Sequence, residues 1–340
     1  MTSHDPAGVL SELLRAAAAT RPDAIFARIG GRASDAPAAL RAGPLDALAD
    51  HYAARLEETE LPQGTKLLLL SSPEPRTLAT IVGALRAGFD VGLAAPALDA
   101  AAIAAAAEAY GAGVLAGPAA FAELQTGERL FEAAALLDSI SLVALHGAGE
   151  AGALELDAPR EDDAPGVAST REPQLLVVEI VDAAPKCRSV SQERMREIAR
   201  EFVARAGLRE GGAIVSTISL GSEAGLVGGA FAPLIGGAHL IWQAPFAARR
   251  FLETLETSAH AHLFAPASVA GDLGAAGILT ADRLSSLTLV AADDVPAPSF
   301  AHGVDPARVF VLRGGADAGL RLEGLEPPSP LAGEGVIAKQ

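Results

Sequence analysis

The stretch Lys66 to Ala94, "KLLLLSSPEPRTLATIVGALRAGFDVGLA", limits what this chain can fold into more than any other. "KLLLL" reads as a buried strand. Ser71-Ser72-Pro73 marks a helix start, and Leu78, Ile81, Val82 and Leu85 form an apolar stripe at i, i+3, i+4, i+7 that Gly88 ends, before a second strand "DVGLA". The same alternation recurs along the chain. Helices are predicted over 45–57, 99–110 and 247–258, and from Ser191 through Met195, Ile198, Phe202 and Val203. Strands are predicted over 113–117, 139–145, 174–181, 213–218, 238–242, 261–265, 287–292 and 308–312. Short apolar strands alternating with amphipathic helices predict an α/β fold of two doubly wound lobes with mainly parallel sheets.

A chain of 340 residues exceeds what one core usually serves, which is why two lobes are expected. The segment "GAGEAGALELDAPREDDAPGVASTREP" loses periodicity and gathers Gly, Pro and acids. It divides the chain into a first lobe (1–147), a linker (148–173), a second lobe (174–322) and an irregular tail (323–340). The net charge of −16 and the lack of a basic stripe argue against nucleic acid as a partner. The longest uncharged run, Ala224 to Ala248, is long enough to cross a bilayer. Pro233, Gly236-Gly237 and Pro245 break it into helix, turn and strand, so it is read as core and no membrane span is expected. The amino terminus lacks a charged-then-apolar leader, which predicts a cytoplasmic protein, and the single cysteine, Cys187, excludes an internal disulfide.

Most motif matches have a plainer reading. Gly147, Gly149 and Gly152 fit G-x-G-x-x-G after a strand, but prolines and acids follow where a phosphate-binding helix should begin, so a linker is preferred. His260 and His262 share one strand face and could form half of a metal site, yet no acidic or sulfur ligand is near in sequence, and a structural role is expected. No G-x-S-x-G is present. Cys187 reads as a small strand residue despite its neighbour Lys186. The segment "VVEIVDAAPKCRSVS" is more specific: strand 174–181, loop 182–186, short strand 187–190 and a helix capped by Ser191 put Lys186 at a strand's carboxyl end, where α/β sheets bind ligands.

These elements, in order, resemble the amino-terminal domain of the adenylate-forming superfamily, the acyl-CoA synthetases, nonribosomal-peptide adenylation domains and luciferases. "LLRAAAATRPDAIFARIGGR", "LDALADHYAARLEE" and the stretch from Leu61 to Leu98 carry the resemblance in the first lobe. In the second lobe it is carried by "PKCRSVS", "PLIGGA", "LSSLTLVAADDV" and "VFVLRGGADAG". It covers roughly residues 8 to 320, and order and spacing are kept better than the motifs. The family joins a carboxylate to ATP, releases pyrophosphate and usually passes the acyl group to CoA or a carrier thiol. Its phosphate loop reads T-S-G-T-T-G-x-P-K. Here Pro185 and Lys186 match, while Val178, Glu179, Ile180, Val181, Asp182 and Ala183 replace the hydroxyls and glycines.

That exchange removes backbone freedom and hydroxyl donors, and it brings acids toward a triphosphate. At 4 Å and an effective dielectric near 20, each pair of like unit charges repels by about 4 kcal/mol. The family's magnesium-serving glutamate falls near Ala318, with Gly314 and Asp317 at its tyrosine and threonine positions. By the resemblance, the chain also ends before the family's small carboxyl-terminal domain, and Lys339 carries no catalytic role. The expectation is therefore a catalytically impaired relative in acyl or carboxylate metabolism, without cofactor, catalytic or metal residues, that binds another protein subunit, itself, or a carboxylate or acyl ligand. The residues implied are Asp182, Ala183, Pro185 and Lys186 in a relic phosphate loop, with Gly225, Gly228, Gly229, Gly314 and Gly315 around an acyl or carboxylate pocket. Two alternatives stand beside it. One is an active ligase half using ATP, magnesium and CoA, with its small domain supplied by another chain. The other is a structural subunit that dimerises through "GLVGGAFAPLIGG".

Overall fold

The computed structural model describes residues 7–30, 39–147, 150–159, 171–182, 184–258, 260–293, 303–314 and 319–324. In chain order the elements begin with α1 (Val9–Thr20), β1 (Ile25–Ile29), β2 (Ala39–Arg41), α2 (Ala42–Glu57), β3 (Lys66–Leu70), α3 (Pro75–Arg86), β4 (Asp90–Ala94) and α4 (Ala100–Tyr110). Next come β5 (Val114–Pro118), α5 (Thr126–Ala134), β6 (Leu142–His146), β7 (Leu154–Glu155), β8 (Leu175–Val181), β9 (Ala184–Val190) and α6 (Gln192–Ala206). The remainder comprises β10 (Ala213–Ser216), α7 (Glu223–Leu226), α8 (Ala232–Gly236), β11 (His239–Trp242), α9 (Ala248–Thr257), β12 (Ala261–Pro266), α10 (Ala270–Ala275), β13 (Leu284–Ala292), β14 (Val309–Gly314) and β15 (Arg321–Gly324).

Two sheets form, in the orders β15-β14-β13-β12-β10-β11-β1-β2 and β7-β6-β5-β3-β4-β8-β9. All pairings are parallel except β1 with β2, β14 with β15 and β8 with β9. Strand residues alternate between layers. Leu67 and Leu69 face the helices between the sheets, and Leu68 and Leu70 face α4 and α5 outside. In the larger sheet Ile214, Leu240 and Trp242 point inward, while Val215 and Ile241 pack toward α9 and α10. Each interior strand is thus buried on both faces, which accounts for its continuous apolar run. The central layer holds α1, α2, α3 and α6, whose buried residues share one core cluster with both sheets.

Sheet membership departs from the predicted division of the chain. β8 and β9, placed in the second lobe by sequence, belong to the first lobe's sheet, and β1 and β2 belong to the second lobe's sheet. Asp90 at the start of β4 accepts from Arg171 Nη1 at 2.9 Å and from the Gln174 amide at 2.7 Å, which fixes β8 beside β4. The predicted linker also contains β7, paired with β6, although residues 148, 149 and 160–170 of it lie outside the described residues. The tail 325–340 lies outside them as well. The uncharged run becomes α7, a π-helical turn over Val227–Phe231, α8 and β11, with Gly237 closing α8 at φ 66°. Among the described residues no helix is long and apolar enough to cross a membrane.

Candidate functional site

The segment expected to hold a phosphate loop is a β-hairpin. β8 and β9 pair along their full length, with Val181 opposite Ala184, Ile180 opposite Pro185 and Glu179 opposite Lys186, so only two residues of the sequence separate the paired strands. Asp182 takes φ 52°, a left-handed conformation that aspartate tolerates better than most residues, and Ala183 lies outside the described residues. Lys186 is therefore an exposed residue within a strand, opposite an acid, rather than the end of a loop. Pro185 is placed without penalty because β9 is a sheet edge, where a missing N–H donor is tolerated. Cys187 is exposed opposite Val178, and partial desolvation of its sulfur outweighs the nearby Lys66 and pushes the thiol pKa up, away from reactivity.

Ion pairs and close backbone contacts join the two sheets here. Arg188 on β9 reaches Glu223 at the start of α7, and its Nη2 lies 3.3 Å from Glu179 Oε1. Burial opposes the charge on Arg188, but the Glu223 and Glu179 carboxylates hold the guanidinium pKa above its usual value. Ser222 caps α7 by accepting from the Gly225 amide at 3.0 Å. Ser219 Oγ, after β10, donates to the Ser71 carbonyl after β3 at 2.7 Å. A Cβ on Gly221 would lie 3.0 Å from Ser71 Oγ and 3.2 Å from the Ala94 carbonyl. The carboxyl ends of the two sheets are thus in direct contact where an open α/β fold leaves a crevice.

The glycines proposed to line a pocket lie in two settings. A Cβ on Gly225 would overlap the Ser219 carbonyl, and one on Gly314 would lie 3.2 Å from Leu320 Cδ1 and 4.0 Å from Glu223 Oε2. Glu223 on α7 thus lies beside Gly314, while Gly315, Asp317 and Ala318 lie outside the described residues. Gly228 and Gly229 sit in the π-helical turn, where a Cβ would lie 2.6 Å from Phe264 Cδ1 and 2.9 Å from Leu220 Cδ2 respectively. Their lack of a side chain lets the π-helical turn rest directly on β12 and on Leu220. Gly228→Ala is expected to destabilise the fold by about 2 kcal/mol through overpacking, read as a lower urea midpoint at constant slope.

Sequence reasoning missed a second polar centre, at the carboxyl ends of β5 and β6. A cavity of about 390 Å³ is lined by Glu74, Arg76, Gln125, His146, Gly147 and Glu150, among others. His146, buried at the end of β6, lies with Nε2 3.2 Å from Glu74 Oε1 and Nδ1 3.2 Å from Thr80 Oγ1. Ser72 Oγ donates to Glu74 Oε1 at 2.6 Å and lies 2.7 Å from Thr77 Oγ1. Burial favours a neutral Glu74, but the His146 and Ser72 hydrogen bonds outweigh it and lower its pKa. Arg76 Nε lies 3.6 Å from Asp157 Oδ2, which also accepts from the Gly147 amide at 2.7 Å, so the first glycine of the apparent dinucleotide fingerprint is already bonded. Gly149 lies outside the described residues. The available signal was a histidine directly after an apolar strand, "LVALH", at the sheet end where ligands bind.

Among the described residues no three His, Cys, Asp or Glu side chains group to hold a metal. His262 lies in β12 and His260 precedes it at φ 62°. The hairpin also fits a nucleotide triphosphate poorly: β8 and β9 bond to each other on both sides of the turn, and Asp182 and Glu179 face the solvent beside it.

No protein-family model and no curated protein sequence matches the chain. Solved structures do. MbtA from Mycobacterium smegmatis superposes with a TM-score of 0.73 at 19% identity, over 94% of this chain and 59% of its own. The anthranilate CoA ligase AuaEII, solved with anthranoyl-AMP, gives 0.72 at 18% identity over 90% of this chain and 60% of its own. The N-terminal domain of FACL13 from Mycobacterium tuberculosis gives 0.68 at 15% identity, over 90% of this chain and 75% of that domain. The chain has the α/β fold of the large N-terminal domain of acyl-CoA synthetases and spans about three fifths of the complete enzymes compared.

Proposed function

We propose that this protein is a non-adenylating relative of the acyl-CoA and aryl-CoA ligases that serves as a ligand-binding or partner-binding subunit in acyl or carboxylate metabolism. The observation that carries this reading is the hairpin: β8 and β9 pair as far as Val181 and Ala184, so the strand amides that flank Asp182 are committed to each other rather than forming a cradle for a triphosphate. The Arg188 to Glu223 pair supports it, because it commits a cation beside the hairpin to an acid of the same chain. A ligand would enter the cavity beside Glu74, Arg76 and His146, whose mixed donors and acceptors suit a small polar molecule.

Carboxylate-dependent exchange between ATP and pyrophosphate tests the proposal, with benzoate, anthranilate and fatty acids as substrates and an active CoA ligase as positive control. The expected result is no exchange above background, with or without co-purifying chains, and no difference between the parent and Lys186→Ala. Robust exchange that Lys186→Ala abolishes would establish a working ligase and overturn the reading.

A further inference from the structure

A second, larger cavity opens at the other end of the β15-to-β2 sheet, at the amino ends of its parallel strands. It measures about 600 Å³, and its titratable lining residues are Arg28, Arg209, Arg308, His239, His260 and His262. Among the described residues no aspartate or glutamate lines it, although the chain carries a net charge of −16. The acid coupled to it is the exposed Asp282, which interacts with His260. Several other elements each bring a cation or a donor. Arg28 comes from β1 and Arg209 from the loop after α6, while Arg308 directly precedes β14. His239 opens β11, and Ser258, which also lines the cavity, ends α9.

Elsewhere the buried arginines Arg86 and Arg313 meet carboxylates, as do the partly exposed Arg171 and Arg188. Among the described residues, the guanidiniums of Arg28, Arg209 and Arg308 make no hydrogen bond or ion pair, and the Ser258 hydroxyl is buried without a partner. Arg28 is half-buried while Arg209 and Arg308 are exposed, so solvent screens part of the repulsion among these like charges and an anion in the cavity would offset the rest. His239 and His262 do not add to that repulsion. Burial and the neighbouring Arg308 keep His262 neutral, burial and Arg28 do the same for His239, and His262 Nδ1 lies 2.8 Å from Ser286 Oγ.

We propose that this cavity is an anion site for a small phosphorylated molecule, in which Arg28, Arg209 and Arg308 clamp phosphate oxygens and the Ser258 hydroxyl donates a hydrogen bond. Planar guanidinium forks suit phosphate oxygens in pairs. The volume exceeds that of a lone phosphate and matches a ligand of ordinary metabolite size. A nucleic-acid strand fits poorly, because among the described residues no Phe, Tyr or Trp lines the cavity to stack a base. The site lies at the opposite sheet end from the hairpin and is independent of the function proposed above.

Calorimetry on the full chain at fixed ionic strength, with inorganic pyrophosphate as probe, tests it. Saturable binding is expected, weakened about tenfold or more by Arg28→Ala and by Arg308→Ala, since each removes a charge-assisted contact. Arg250→Ala, an exposed arginine outside the cavity, should leave the affinity unchanged. Arg308→Gln, at an exposed position, serves if an alanine variant fails to fold, and it should weaken binding to the same degree. Absence of pyrophosphate binding, or equal weakening by Arg250→Ala, overturns the proposal. So does an oligonucleotide that binds more tightly than pyrophosphate and loses affinity in the same variants.

Discussion

Lowering the pH from about 6.5 to about 4 is expected to destabilise the fold by about 3 kcal/mol through His262 alone. Burial, with a smaller contribution from Arg308, brings the imidazole pKa down from 6.5 to about 4. The unfolded chain therefore binds a proton in this window while the folded chain does not, so unfolding gains as acid is added and stability rises with pH. Tenfold in proton affinity is worth about 1.4 kcal/mol, so about 2 kcal/mol of the loss falls between pH 6.5 and 5, above the range where most carboxylates titrate. Urea melts at half-unit pH steps would resolve the slope. His262→Gln keeps a polar atom for Ser286 and should flatten it without abolishing it, because the His239 pKa is lowered too. An unchanged slope in that variant would place the proton uptake elsewhere.

How much of this was legible beforehand depended on whether the signal was local. β3 spans the Lys66 to Leu70 run read from the sequence, and α4 starts after Asp99, whose carboxylate accepts from the Ala102 amide at 2.8 Å. α6 follows Ser191, which accepts from the Arg194 amide at 3.2 Å. Strand identity, by contrast, does not say which sheet a strand joins. "QLLVVEIV" and "AIVSTI" are equally apolar, yet one pairs with β4 and the other becomes the centre of the second sheet. What decides is Asp90 clasping Arg171 across 81 residues, a contact no window reveals. The hairpin was hidden because the sequence between its strands, Asp182-Ala183, lacks the glycine that usually marks a tight hairpin connection. Glu74 and His146 stand 72 residues apart and meet only because β5 lies between β3 and β6.

Non-local pairing also governs the largest expected effect on stability, at Arg86, where the side that is removed determines the outcome. Arg86 ends α3 and is 5% exposed. Its Nε donates to Ser11 Oγ on α1 at 2.9 Å, Nη2 to Asp46 Oδ1 at 2.5 Å, and Nη1 to Asp50 Oδ1 on α2 at 2.8 Å. One guanidinium thus ties together three helices of the central layer. Asp46 and Asp50 keep 19% and 58% of their side chains in solvent, so removing the arginine leaves two carboxylates that water can hydrate. Removing both acids leaves a buried cation with only a hydroxyl and a carbonyl as partners. The double change Asp46→Ala with Asp50→Ala is expected to destabilise by about 3 to 5 kcal/mol, the usual result of stranding a buried charge. Arg86→Met fills much of the same volume without a charge and should destabilise by less than half as much. Chemical denaturation of the two variants reads the difference directly. Equal losses would mean that water reaches Arg86 and that the network contributes geometry rather than charge compensation.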